Sequence, residues 1–129
     1  MQIKSFRDLR VWQAGIELVQ AVYVSTSNFP RHELYGLASQ IQRAAVSVPS
    51  NIAEGHARES TKEYLQHLSI AQASLAEVET QIEIAKQLKY ISEDDASRLC
   101  ETISSLGRQL FALRNALTNS KARTASPGS

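Results

Sequence analysis

Five polar side chains recur along one apolar-patterned segment: Arg43, Ser47, Asn51, Glu54 and Arg58. At 100° per residue of an α-helix they fall within an arc of about 80°, with Gly36 and Gln40 on the same side. Leu34, Leu37, Ile41, Ala44, Val48 and Ile52 take the opposite half. Solvated helix faces are usually rich in lysine and glutamate, whereas this one offers guanidinium, hydroxyl, amide and carboxylate groups. Three uses follow: an internal hydrogen-bonded brace, a polar seam between subunits, or an anion site built on Arg43 and Arg58. Pro49 lies inside the same segment. It removes one backbone donor and crowds the carbonyl of Ala45, at a cost of about 3 kcal/mol in an unadapted helix. A kink there frees carbonyls near Ala45 and Val46, which Asn51 or Arg43 is placed to satisfy. Gly55 suits a helix end or a close helix contact, because no glycine-rich turn leads into a helix there.

Other reactive residue types are sparse. A di-metal helical bundle needs two Glu-x-x-His pairs and two further carboxylates, and the chain has no such pair. Glu63 and His67 stand four apart and read as a helix-surface pair; His32 and His56 fall near helix ends. Cys100 is the sole cysteine. It sits beside the Leu99 and Ile103 seam with no local base, the pattern of a buried or interface thiol. No phosphate loop, dinucleotide fingerprint, zinc spacing or nucleophile elbow occurs. The reading is a protein that is not an enzyme, with no catalytic residue, metal or cofactor.

The net charge of +1 hides a gradient: residues 63–95 carry −5, residues 96–129 carry +4, and residues before 63 carry +2. Solvated faces and subunit complementarity explain such asymmetry most simply. Candidate phosphate contacts are Arg7, Arg10, Arg43 and Arg58, with Arg108, Arg114, Lys121 and Arg123 toward the other end of the chain. Trp12, Tyr23 and Tyr64 take core-seam positions, so aromatic residues for base stacking are not expected. Binding would then be to backbone phosphates, salt-sensitive and without sequence reading.

The elements that must position these residues read as four helices. Apolar or small residues recur at spacings of three and four at Leu9, Trp12, Ile16, Val19, Tyr23; at Leu34, Leu37, Ile41, Ala44, Val48; at Leu68, Ala71, Leu75, Val78, Ile82, Ala85; and from Ala96 through Leu99, Ile103, Leu106, Leu110 and Leu113 to Leu117. Phe29-Pro30 stops the first helix, and Ser60 with Glu63 and Ser92 with Asp95 offer caps. The predicted helices span about 7–27, 33–57, 60–89 and 92–118. Short connections make neighbours antiparallel, giving an all-α, up-down-up-down four-helix bundle over residues 1–119. Residues 120–129 read as a frayed, disordered polar tail. The third helix, about 45 Å long, should outreach its neighbours. Second apolar files at Val11, Leu18, Val22 and at Leu65, Ile70, Ile84, Leu88 leave surplus apolar surface. At 129 residues the chain fits one domain without staples. No charged-then-apolar leader precedes Phe6 and no apolar run approaches a membrane span, so the expectation is a cytoplasmic protein with no membrane role.

Four blocks carry a family resemblance: Phe6-Arg-Asp-Leu-Arg-Val-Trp-Gln13, Phe29-Pro-Arg-His-Glu-Leu-Tyr-Gly-Leu-Ala-Ser-Gln40, Arg43-Ala-Ala-Val-Ser-Val-Pro-Ser-Asn-Ile-Ala-Glu-Gly55 and Arg58-Glu-Ser-Thr-Lys-Glu63. In order and spacing, from about Ile3 to Ala116, the chain resembles the small bacterial four-helix-bundle proteins named after the intervening sequences of 23S rRNA genes. The family's usual aromatic-leucine pair in the third helix reads His67-Leu68 here, and the tail after Leu117 departs from the pattern. The resemblance implies a homopentameric ring. It also implies an accessory role beside structured nucleic acid, rRNA or similar, since related pentameric bundles assist reverse transcriptases. The family's biochemical activity is not established. The alternative is a protein-protein interaction module without nucleic-acid binding, which recruits its partner through the Pro49 helix.

Overall fold

The computed structural model describes residues 5–125, with side chains through residue 120. Four helices account for it: α1 Arg10–Thr26, α2 Leu37–His56, α3 Thr61–Gln87 and α4 Glu93–Ala125. No strand occurs among the described residues. The register of each neighbouring pair runs in opposite directions. Gly15 meets Pro49 while Thr26 meets Gln42; Ser47 meets Ser74 while Asn51 meets His67. On α4, Gly107 lies against Leu75, and Arg114 bonds Gln72. The groove from Arg10 to Ala14 faces Gln109 to Leu113, while Ala21 and Ser25 share a cleft with Asp95 and Leu99. The result is the up-down-up-down bundle.

Its core is aliphatic. Leu18, Ile41, Ile52, Leu68, Ile82, Leu106 and Leu110 are fully buried, each worth about 1.5–3 kcal/mol against exposure. In α1 the buried file is Val11, Gly15, Leu18, Val22 and Thr26, the reverse of the expected assignment. Leu9, Trp12 and Val19 are only half-buried, and Tyr23 is 47% exposed. Both files obey helical spacing. The approach of Gly15 to Pro49, where an added Cβ would stand 3.1 Å from the proline Cβ, turns the Val11 file inward.

Helix ends follow local chemistry. Ser60 accepts from Glu63 N at 3.1 Å and Ser92 from Asp95 N at 3.1 Å, the two caps read from sequence. Residues Phe6–Asp8 form a separate 3-10 turn capped by Ser5, and extended backbone at Leu9 delays α1 to Arg10. A second 3-10 turn at Arg31–Glu33 and an irregular Gly36 delay α2 to Leu37, so Leu34 leaves the core stripe and is 54% exposed. At the far end of α3, Tyr90 N donates to Ala85 O at 2.9 Å and Lys89 N to Lys86 O at 3.0 Å around a left-handed Lys89, φ 64°, a Schellman ending. The longest helix is α4, with 33 residues against 27 in α3. It continues through Ala125, past the expected stop at 118, so residues 120–125 of the expected tail are helical; residues 126–129 lie outside the described residues.

Candidate functional site

The middle of the polar face of α2, at Ser47 and Asn51, is turned onto α3, while Arg43, Glu54 and Arg58 are exposed. Gly55 sets the separation, since a Cβ there would stand 2.8 Å from His67 Cβ and 3.0 Å from Tyr64 Cδ1. Across this close contact runs one hydrogen-bonded chain. Asn51 Nδ2 donates to Ser47 O at 2.9 Å and to Ser47 Oγ at 3.0 Å. Ser47 Oγ and Ser74 Oγ share a hydrogen at 2.8 Å. With its amide nitrogen committed to Ser47, Asn51 presents Oδ1 to His67 Nδ1 at 3.0 Å. The ring nitrogen must therefore carry the proton and donate, a tautomer assigned from the network. Glu54 Oε2 lies 3.7 Å from the same nitrogen, and Arg58 Nε lies 3.8 Å from Glu63 Oε2.

This network corrects several expectations. Asn51 serves the carbonyl of Ser47, not those of Ala45 or Val46, and Arg43 is exposed. Pro49 stands inside α2 and is buried. Glu63 pairs with Arg58 rather than with His67, which faces α2 with its side chain 18% exposed. Arg58, exposed like Arg43, has the Glu63 carboxylate 3.8 Å away. The arrangement also lacks the logic of a serine nucleophile, which needs a base to take its proton. Ser47 faces an amide donor, and Asn51 stands between it and the histidine. Sequence reading missed His67 and Ser74 as members; the one available signal was a polar residue, Ser74, inside the Leu68, Ala71, Leu75, Val78 file.

The candidate phosphate contacts divide. Arg7 is exposed, its guanidinium 5.0 Å from the Phe6 ring centroid. Arg10 is exposed on a groove of about 570 Å³ between α1 and α4, floored by Leu9, Ala14, Ala112 and Leu113. Arg108 is exposed beside Cys100, Glu101 and Ser104. Arg114 is half-buried and donates to Gln72 Oε1, a contact that ties α4 to α3. The side chains of Lys121 and Arg123 lie outside the described residues. Contrary to the sequence reading, aromatic rings are available: Phe111 is 61% exposed and Tyr35 93%. Phe111 stands three residues from Arg108, about 60° apart around α4.

The remaining titratable residues are local. Glu33 Oε1 accepts from Leu37 N at 3.0 Å and Oε2 from Tyr90 OH at 3.1 Å. The backbone hydrogen bond first, then the tyrosine, hold this carboxyl below its usual range. Partial burial, with Glu79 second, pushes the Cys100 thiol up, away from thiolate chemistry. Among the described residues no His, Cys, Asp and Glu side chains group as a metal set, and no helix is long and apolar enough to cross a membrane.

Fold and seam together define a small antiparallel four-helix bundle whose second and third helices are joined by a serine-asparagine-histidine network. A family model described as 23S rRNA-intervening sequence protein matches residues 7–112, and the chain belongs to that family. A solved structure, described as a protein of unknown function from the S23 ribosomal protein family of Bacteroides thetaiotaomicron, superposes with a TM-score of 0.73 at 20% identity, covering 81% of this chain and 97% of that one. At that identity the likeness speaks for the fold alone. No protein of curated function matches.

Proposed function

We propose that this chain is a non-enzymatic, cytoplasmic bundle subunit that self-associates, as a five-membered ring, and docks onto structured nucleic acid, rRNA or similar, through its basic residues. The observation that carries the reading is topological. The antiparallel fold brings Arg7, in the turn before α1, and Arg10, at its start, to the end of the bundle that α4 reaches with Gln109, Ala112 and Leu113, next in sequence to Arg108 and the exposed Phe111. Basic residues far apart in sequence thus share one end of the bundle, while Glu93, Asp94 and Asp95 open α4 at the other. Exposed guanidinium groups and an exposed ring toward the same end suit phosphate contact and base stacking. Exposed Ile70 and Ile84 on α3, with Leu88 at its cap, supply apolar surface for self-association, and a ring repeats a weak basic site several times, adding avidity.

The test is a mobility shift with a structured rRNA fragment and a DNA duplex, using wild type and the double variant Arg10→Glu, Arg108→Glu. Wild type should shift the fragment and the variant should not, with its helical content unchanged. The second reading, a protein-interaction module without nucleic-acid binding, is favoured by the commitment of Arg58 and Arg114 to internal partners. Absence of any shift with the wild-type protein would select it.

A further inference from the structure

The block Phe29–Gln40 does more than turn the chain. Phe29 packs against Tyr90 with ring centroids 5.6 Å apart, and Glu33 caps α2. Arg31, Leu34 and Tyr35 contribute to neither and are all exposed. Between the end of α1 and the start of α2, Arg31 and Leu34 border a cleft of about 380 Å³, within the size range of ligand clefts, about 300–1,000 Å³. Its floor is buried and apolar, made of Phe29 and Ala38. One corner is polar and satisfied: Thr26 Oγ1 donates to Val22 O at 2.8 Å and accepts from Gln42 Nε2 at 2.9 Å. Tyr23 and Leu34, about half exposed, form the walls.

We propose that this cleft is a docking site for an acidic peptide segment that inserts one bulky apolar side chain between Tyr23 and Leu34 and sets a neighbouring carboxylate on Arg31. Charge decides the occupant. The Arg31 guanidinium takes part in no ion pair among the described residues. The adjacent Glu33 carboxylate is turned away onto Leu37 N and Tyr90 OH, so the rim offers an unanswered cation. Among the other acidic side chains toward this end, Glu83 near the end of α3 is paired with Lys86 at 3.2 Å, and Asp95, in the first turn of α4, is answered by Arg98 at 3.4 Å and lines a different cleft, against α1. Burying an aromatic or leucine anchor supplies the attraction, and a bidentate guanidinium-carboxylate contact supplies the direction. The site lies at the opposite end from Arg10 and does not depend on the nucleic-acid reading.

The experiment is a titration of amide NMR shifts in the full chain. The probe is a ten-residue acetylated peptide with one phenylalanine among leucine and aspartates; a second peptide has lysines for the aspartates. The acidic peptide should give saturating shifts confined to residues 23–42. Arg31→Glu, an exposed change that leaves the fold intact, should weaken it about tenfold, the worth of one charge-assisted contact. Leu34→Asp should abolish it. Absence of saturating shifts at about 5 mM peptide, well above a millimolar Kd, overturns the proposal. Equal binding of the lysine peptide also overturns it. So does broadening of the same residues with protein concentration alone, which would assign the cleft to a second copy of this chain.

Discussion

Replacing Gly55 by alanine tests the α2–α3 seam most sharply, because the outcome has a sign that helix propensity alone would get wrong. In an isolated helix the change gains about 1 kcal/mol. Here the new methyl would stand 2.8 Å from His67 Cβ, 3.0 Å from Tyr64 Cδ1 and 3.3 Å from Tyr64 O. A Cβ and a backbone oxygen cannot swing away as a side-chain tip can, so the helices must part and stretch the 3.0 Å Asn51–His67 bond. Overpacking of this kind costs about 1–3 kcal/mol; the rigid neighbours place it in the upper part of that range, leaving a net loss of about 1–2 kcal/mol after the propensity gain. Gly107→Ala is the internal control. Its methyl would meet only the flexible end of Leu75 at 3.7 Å, so stability should rise by about 0.5–1 kcal/mol. Urea unfolding followed by circular dichroism, at one fixed protomer concentration because association adds to stability, reads both. A Gly55→Ala protein as stable as wild type would refute the close-contact reasoning.

Four further outcomes follow from the same geometry. Pro49→Ala removes a buried ring that packs on Gly15, so self-association measured by light scattering should weaken even though local helix propensity rises; a more stable variant that still assembles normally would contradict this. The Glu33 carboxyl is held below its ordinary value, so its contribution to stability is complete above the usual carboxylate range and is lost as pH falls through the lowered value. Glu33→Gln should flatten that part of the acid-unfolding curve, and an unchanged curve would remove Glu33 from the account. Arg114→Glu should lower stability by about 1 kcal/mol or more through loss of the contact with Gln72. Arg108→Glu should leave stability within about 0.5 kcal/mol, which makes it the clean probe of binding; equal destabilisation by the two would show that Arg108 is also structural.

Element identity was legible because burial imposes a period. Where two files share that period, as in α1, sequence cannot choose between them; the choice lies in the Gly15–Pro49 approach, a tertiary fact. The start of α2 was misread because Leu34 continues the spacing of Leu37 and Ile41, although Gly36 breaks the backbone between them. The end of α4 was misread for the opposite reason. Periodicity reports burial, and Lys121 to Ala125 are helical without an apolar file. The polar stripe was visible on α2, but its partners His67 and Ser74 depend on the register of α3 against it, which Gly55 sets. Arg114 looked equivalent to Arg108 for the same reason: Gln72, its partner, lies 42 residues away.

The most direct measurement of the central claim is fluorescence anisotropy of a labelled, structured rRNA fragment titrated with the intact protein at a series of salt concentrations. Contact with backbone phosphates by Arg7, Arg10 and Arg108, repeated around an assembly, predicts tight binding at about 50 mM salt and a linear fall of log affinity with log salt, losing several powers of ten by about 200 mM. No anisotropy change at about 50 mM salt, where phosphate contacts are strongest, would contradict the nucleic-acid reading.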